Sequence, residues 1–170
     1  MVSRAAPELL VRPARAEDGP ALGRMGGRLV RMHHELDTRR FMSPGEDVES
    51  GYRWWLSREL AHARAVVLVA ERDGELVGYA YGTVESRDWN ALREAHGELH
   101  DLWVEEAARG AGVGARLAEE LVRRLRALGV PRVMLMAAVG NESARRLFTR
   151  LGWRPTMVEM TRELEPADGE

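Results

Sequence analysis

At 170 residues the chain has the length of one domain with a sizeable core. It contains no cysteine, which excludes disulfides, thiolate metal sites and a cysteine nucleophile. All 25 basic residues are arginines, set against 27 acids for a net charge of −2, which argues against bulk electrostatic binding of nucleic acid. The absence of lysine removes Schiff-base chemistry and a Walker-type phosphate loop.

The opening stretch MVSRAAPELLVRPARAEDG has no apolar run of signal-peptide length, and no segment approaches a membrane span, so a cytoplasmic protein is expected. Leu9-Leu-Val-Arg-Pro reads as a short first strand, followed by a helix from Ala21 to Glu35 behind an acidic, proline-bearing start. After a polar connection, Val48 to Ala63 carries apolar residues at helical spacing. Ala65 to Ala70 is a buried-strand run, Asp73-Gly74 a hairpin turn, and Leu76 to Val84 its second strand. Ser86 to Gly97 is polar and irregular. Leu99 to Val104 is a strand that feeds the loop Arg109-Gly-Ala-Gly-Val-Gly114.

A helix follows, with Val113, Leu117, Leu121, Leu125 and Leu128 on one stripe and the pairs Glu119/Arg123 and Glu120/Arg124 outside it. Gly129 and Pro131 end it. Val130 to Val139 is predicted as a strand, Asn141 to Leu151 as a short helix, and Trp153 to Leu164 as a last strand before a charged tail.

Three glycines beside an arginine at a helix start need a reason, because glycine near a helix costs about 1 kcal/mol against alanine. The first N–H groups of a helix lack intrahelical partners and carry the positive end of the dipole, so the loop suits a phosphate or pyrophosphate. A tight strand-to-helix turn is the plainer alternative. Gly110, Gly112 and Gly114 with Ala115 also fit the loose dinucleotide fingerprint, but the acid expected about 20 residues on is missing from Met136-Ala-Ala-Val-Gly.

Arg109, Gly112 and Gly114, after Asp101-Leu-Trp-Val and before Asn141-Glu-Ser-Ala144-Arg-Arg-Leu-Phe148-Thr-Arg-Leu-Gly152-Trp153, resemble the GNAT superfamily of acyl-CoA-dependent N-acetyltransferases. The similarity runs from about Leu9 to Leu164 and implies a single domain over 1–170. The implied α/β fold has a mixed, mostly antiparallel sheet of six to seven strands, splayed between its fourth and fifth, with about four flanking helices. The resemblance further implies acetyl-CoA as co-substrate and transfer to a primary amine of a small molecule or peptide, with no metal, nucleic acid or membrane. By analogy it admits a homodimer.

By the same resemblance, the backbone of Arg109, Gly110, Ala111, Gly112, Val113, Gly114 and Ala115 would hold the pyrophosphate. Leu102, Trp103 and Val104 would pair with the pantetheine like an added strand, Asn141 and Phe148 would lie beside the coenzyme arm, and Arg145 would meet its 3′-phosphate. Phe148 departs from the family, where a tyrosine commonly protonates the departing thiolate. Water, Ser143 or a tyrosine of the Tyr79/Tyr81 strand are substitutes, and a non-catalytic acyl-CoA-binding module is the rival reading.

Acetyl transfer needs a group to take the amine's proton. Glu98, His100 and Asp101 are the candidates, and imidazole exchanges protons near neutral pH. Strict alternation along the strand places Asp101 on the opposite face from Glu98 and His100. His33, His34, Glu35 and Asp37 crowd the end of the first helix, as a solvated helix end or as part of an acceptor site. Trp54, Trp55 and Trp89 are core residues or acceptor-pocket walls.

Overall fold

A computed structural model describes residues 8–164. Five strands run β1 (Leu9–Pro13), β2 (Ala65–Arg72), β3 (Glu75–Glu85), β4 (His96–Val104) and β5 (Val133–Leu135), adjacent in that order. The helices are α1 (Gly19–Leu36), α2 (Val48–Glu59), α3 (Val113–Ala127) and α4 (Glu142–Arg150). The first four strands are antiparallel neighbours, and only β5 runs parallel to β4. A doubly wound parallel sheet is thereby excluded, and with it the dinucleotide alternative.

Alternation along the central strands divides the core into two layers. Leu68, Ala70, Ala80 and Leu99 pack with Val113, Leu117, Leu121 and Leu125 of α3. Val67, Val69, Tyr79, Tyr81 and Trp103 pack with Leu22, Met25 and Leu29 of α1 and Leu56 of α2. Val113, Leu117, Leu121 and Leu125 therefore form the stripe their spacing predicts, each fully buried leucine contributing about 2 kcal/mol, whereas Leu128 lies just past the end of α3 and is exposed. On the outer face Glu120 pairs with both Arg123 and Arg124, at 2.7 Å each, whereas Glu119 makes no ion pair among the described residues.

The α1–α2 contact is close because α1 presents glycines to it. A Cβ at Gly23 would meet the Glu49 carbonyl at 2.6 Å, and one at Gly26 would overlap the Tyr52 ring. The tyrosine ring thus lies on the bare backbone of α1, which fixes where its hydroxyl points.

Three expectations are corrected. The strand expected over Val130–Val139 is paired only at Val133–Leu135, and Trp153–Leu164 forms no strand, so the described sheet has five strands rather than six or seven. Met157, Val158 and Met160 lie exposed, without the neighbouring strand that extended apolar residues need. The β4 strand also begins at His96, inside the stretch read as irregular. No helix among the described residues is long and apolar enough to cross a membrane.

Candidate active site

The β4 strand has a neighbour on its outer edge only from Gly97 to Leu99, opposite Val133 to Leu135. From His100 to Val104 no strand among the described residues pairs that edge. The chain then turns through Glu106–Ala108 into the glycine loop. Gly110 and Gly112 adopt φ of +77° and +79°, a left-handed conformation that favours glycine. A Cβ at either would meet nothing within 4 Å, so the loop is open on its outer side. Gly114 serves packing instead, since a Cβ there would lie 3.3 Å from Leu147 and 3.5 Å from Val104.

Gly112 is the N-cap of α3 and offers no side-chain cap. Among the described residues, none of the backbone N–H groups from Gly110 to Ala115 has a hydrogen-bond acceptor, and the first to find one is Arg116, on the Gly112 carbonyl at 3.1 Å. Six successive donors at the positive end of an amphipathic helix are a geometry that suits an anion. Arg109 does not reach into it: its Nε donates to the Val104 carbonyl at 3.0 Å and its guanidinium lies 5.0 Å from the centre of the Trp103 ring. It thereby ties the loop to the end of β4.

The face of β4 beneath the first two helices carries the titratable groups. Asp101 stands opposite Tyr81 and Glu98 opposite Thr83, while Leu99 pairs with Gly82, so His100 is an extra residue with no partner on β3. This β-bulge resets the alternation. Asp101, His100 and Glu98 consequently share one face, and the expectation that Asp101 opposes the other two is wrong. Gly82 lies across from the bulge, where a Cβ would meet the Glu98 carbonyl at 2.6 Å.

His100 is the exposed member of the three. Its ring stacks on Tyr81 at 5.2 Å, and its Nε2 lies 2.7 Å from Thr83 Oγ1 and 3.8 Å from Glu85 Oε1. Thr83 donates its single hydroxyl proton to the acceptor-only carboxylate of Glu85, so Nε2–H donates to Thr83 and Nδ1 keeps the basic lone pair. Asp101 is buried, and its Oδ2 accepts from Tyr52 at 2.6 Å and Tyr79 at 3.0 Å. Burial raises its carboxyl above the ordinary aspartate range, opposed by the two hydroxyl donors. Burial first, and the Asp101 charge second, hold both tyrosines well above their ordinary range. Glu98 is buried between His96 Nε2 at 3.4 Å and Arg93 Nη1 at 3.6 Å.

The remaining candidates divide. Asn141 caps α4, its Oδ1 accepting from Ala144 N at 3.1 Å. Arg145 is exposed and donates to the Val139 carbonyl at 3.2 Å. Phe148 is buried in the α3 layer, edge-on to Trp153, and Leu102 and Val104 flank that layer beside it. His33 and His34 each donate Nδ1–H to a backbone carbonyl, of Leu29 and Phe41. Trp55 is wedged between Tyr52 and Tyr81, while Trp89 lines a cavity of about 710 Å³ with Tyr81, Thr83 and Glu85. That cavity and the Tyr52–Asp101–Tyr79 cluster have no signal in local spacing, because each joins residues from separate elements. No group of His, Asp and Glu among the described residues could hold a metal ion.

Residues 29–153 match the Acetyltransferase (GNAT) family. The chain belongs to that family. A mycothiol acetyltransferase of Streptomyces avermitilis is 36% identical over 85 residues, which is 50% of this GNAT chain but only 26% of the relative's length. An aminoglycoside N-acetyltransferase solved with coenzyme A superposes with a TM-score of 0.75 at 14% identity, covering 98% of this chain and 100% of that one. An acetyltransferase of Clostridium acetobutylicum, solved with acetyl-CoA, superposes at 0.70 with 16% identity, covering 91% and 96%. At such identities these likenesses establish the GNAT fold, a five-stranded mixed sheet with four α-helices.

Proposed function

We propose that this GNAT chain is one acetyltransferase domain that moves an acetyl group from acetyl-CoA to a primary amine of a small molecule or peptide. The observation that carries the reading is the run of six acceptor-free N–H groups, Gly110 to Ala115, where the unpaired edge of β4 ends. The amides fit a pyrophosphate, and the strand-free edge from His100 to Val104, its last carbonyl held by Arg109, fits an extended amide-bearing arm such as pantetheine. Leu102, Trp103 and Val104 supply that edge. Asn141, which caps α4, and Arg145, in its first turn, are proposed to lie beside the coenzyme arm.

When bound, acetyl-CoA supplies a thioester whose C–S bond breaks as the amine nitrogen bonds to the acyl carbon. His100 Nδ1 takes the proton the amine gives up, its ring held by Tyr81 and by the Nε2–H donation to Thr83. Asp101 and Glu98 stand behind it as buried acids that shape the local field and anchor β4 to its neighbours. Phe148 cannot protonate the leaving thiolate and Tyr79 is spent on Asp101. A thiol of pKa about 8.5, with cysteine as the guide, leaves acceptably without a dedicated acid.

Calorimetry with acetyl-CoA, coenzyme A and NADH, followed by thiol release with an amine panel, tests this. The expected result is binding of both coenzyme forms, none of NADH, and release that falls at least about tenfold in His100→Gln with coenzyme affinity retained. Coenzyme binding with no release for any amine would instead favour the acyl-CoA-binding module, and no binding would refute the site.

A further inference from the structure

The cavity lined by Tyr81, Thr83 and Glu85, the three residues that contact His100, has a charge pattern that the transfer chemistry alone does not require. Its volume of about 710 Å³ falls in the range of small-molecule sites, about 300–1,000 Å³. Several charged groups of its lining are already paired. Arg87 bonds Glu94 and lies over the Trp89 ring, and Asp88 Oδ1 accepts from the backbone N–H groups of Asn90 and Ala91.

Three others are not neutralised. Glu59 accepts from the Tyr81 hydroxyl at 2.8 Å, and Glu85 accepts from Thr83 and lies 3.8 Å from His100 Nε2, but neither meets an arginine among the described residues. Arg64 donates to the Ser86 hydroxyl at 3.2 Å and pairs with no carboxylate among the described residues. The acids bond the two groups, Tyr81 and Thr83, that hold the His100 ring. The guanidinium comes from the residue just before β2 and is held at Ser86, next to Glu85 in the chain.

We infer that this cavity takes a zwitterionic acceptor, a free α-amino acid, with its amino group between Glu59 and Glu85, its carboxylate on Arg64 and its side chain against Trp89. An ammonium ion suits the two acids, which bond the residues that hold the His100 ring. A carboxylate suits the planar fork of an arginine that has spent only one contact on a hydroxyl. A simple alkylamine would leave Arg64 facing a cation, and an anion without an amine would face two acids. Trp89 is 76% exposed and offers an apolar ring for the substituent.

The inference rests on the acetyltransferase reading for the fate of the amine, but not for the fit of the ligand. The test therefore measures binding and transfer separately. Calorimetry on the protein with coenzyme A compares L-phenylalanine and L-leucine with phenethylamine and isoamylamine, and thiol release from acetyl-CoA is followed for the same four. The amino acids are expected to bind and react at least about tenfold better than the amines, and Arg64→Leu to abolish that preference, since a charge-assisted pair is worth that much. Acetyl-CoA affinity of the variant serves as its folding control. Amines equal to or better than amino acids, a preference that survives Arg64→Leu, or no binding of any of the four would overturn the inference. Arg64-dependent amino acid binding with no thiol release would uphold it and refute the transferase reading.

Discussion

The two ends of α3 permit a controlled test of the anion site. Gly112 at its start has φ of +79° and Gly129 just beyond its end has φ of +92°, and a Cβ would meet nothing within 4 Å at either. Alanine at either position should therefore cost only backbone strain, about 1–2 kcal/mol, and lower Tm by about 2–4 °C per kcal/mol at this chain length. Gly112→Glu adds a carboxylate at the mouth of the six free amides. Near a protein surface one unit charge 4 Å from another costs about 4 kcal/mol, so acetyl-CoA affinity should fall at least about a hundredfold even after local relaxation. A glutamate at a helix start interacts favourably with the dipole, so stability should resemble that of Gly112→Ala. Calorimetry and thermal melts on Gly112→Ala, Gly112→Glu and Gly129→Ala read both quantities. Coenzyme affinity in Gly112→Glu equal to that of Gly129→Ala would show that the loop faces no phosphate.

Asp101→Asn keeps an acceptor for Tyr52 and Tyr79 but removes the titration. The native carboxyl is raised, so the fold favours its protonated form, and that stability is present at low pH and lost as pH rises through the native value. In urea melts the wild type should therefore lose ground to Asp101→Asn as pH is raised from the acidic side, and the opposite slope would refute the burial argument. Gly26→Ala should cost about 1–3 kcal/mol by overpacking and should disturb the Tyr52 donation to Asp101. Chemical denaturation reads that loss, and an unchanged midpoint would show that α1 and α2 can part freely.

Much of the frame is legible in the sequence because its determinants are local. The leucine stripe of α3, the Asp73-Gly74 hairpin and the strand before the glycine loop each follow from spacing or turn chemistry within a few residues. The motif order, from Arg109 through Gly114 to Asn141 and Phe148, is what points to the family before any coordinates do, and it suggests the coenzyme side of the proposed site. The bulge at His100 has no such local mark: it arises from the pairing of β4 with β3, and Gly82, which admits it, lies on the partner strand. Missing it reversed the side of Asp101. The cavity was illegible for the same reason, since Glu59, Arg64 and Glu85 come from the end of α2, the entry to β2 and the end of β3. The final segment erred the other way. Its extended, apolar composition suits a strand, but β5 is paired with β4 over only three residues and leaves it no ladder to join.

The bulge also explains how one short strand can serve two ligands. An unbroken β4 would send Leu99 and Leu102 to opposite faces. With His100 inserted, both lie in the α3 layer, while Glu98, His100 and Asp101 share the other face. The pairing with β5 ends at Leu99, one residue before the bulge, so the edge that the proposed coenzyme would use begins where His100 joins the polar face. An acyl group delivered along the edge and an amine delivered across the face would meet at His100. Deleting His100 outright, rather than substituting it, should close the bulge: Asp101, Leu99 and Glu98 already stand opposite the consecutive residues Tyr81, Gly82 and Thr83, so both carboxylates keep their face, and the expected outcome is a folded chain that has lost transfer as His100→Gln has. A deletion variant with no cooperative melt would show that the bulge itself is needed for the register on which the site depends.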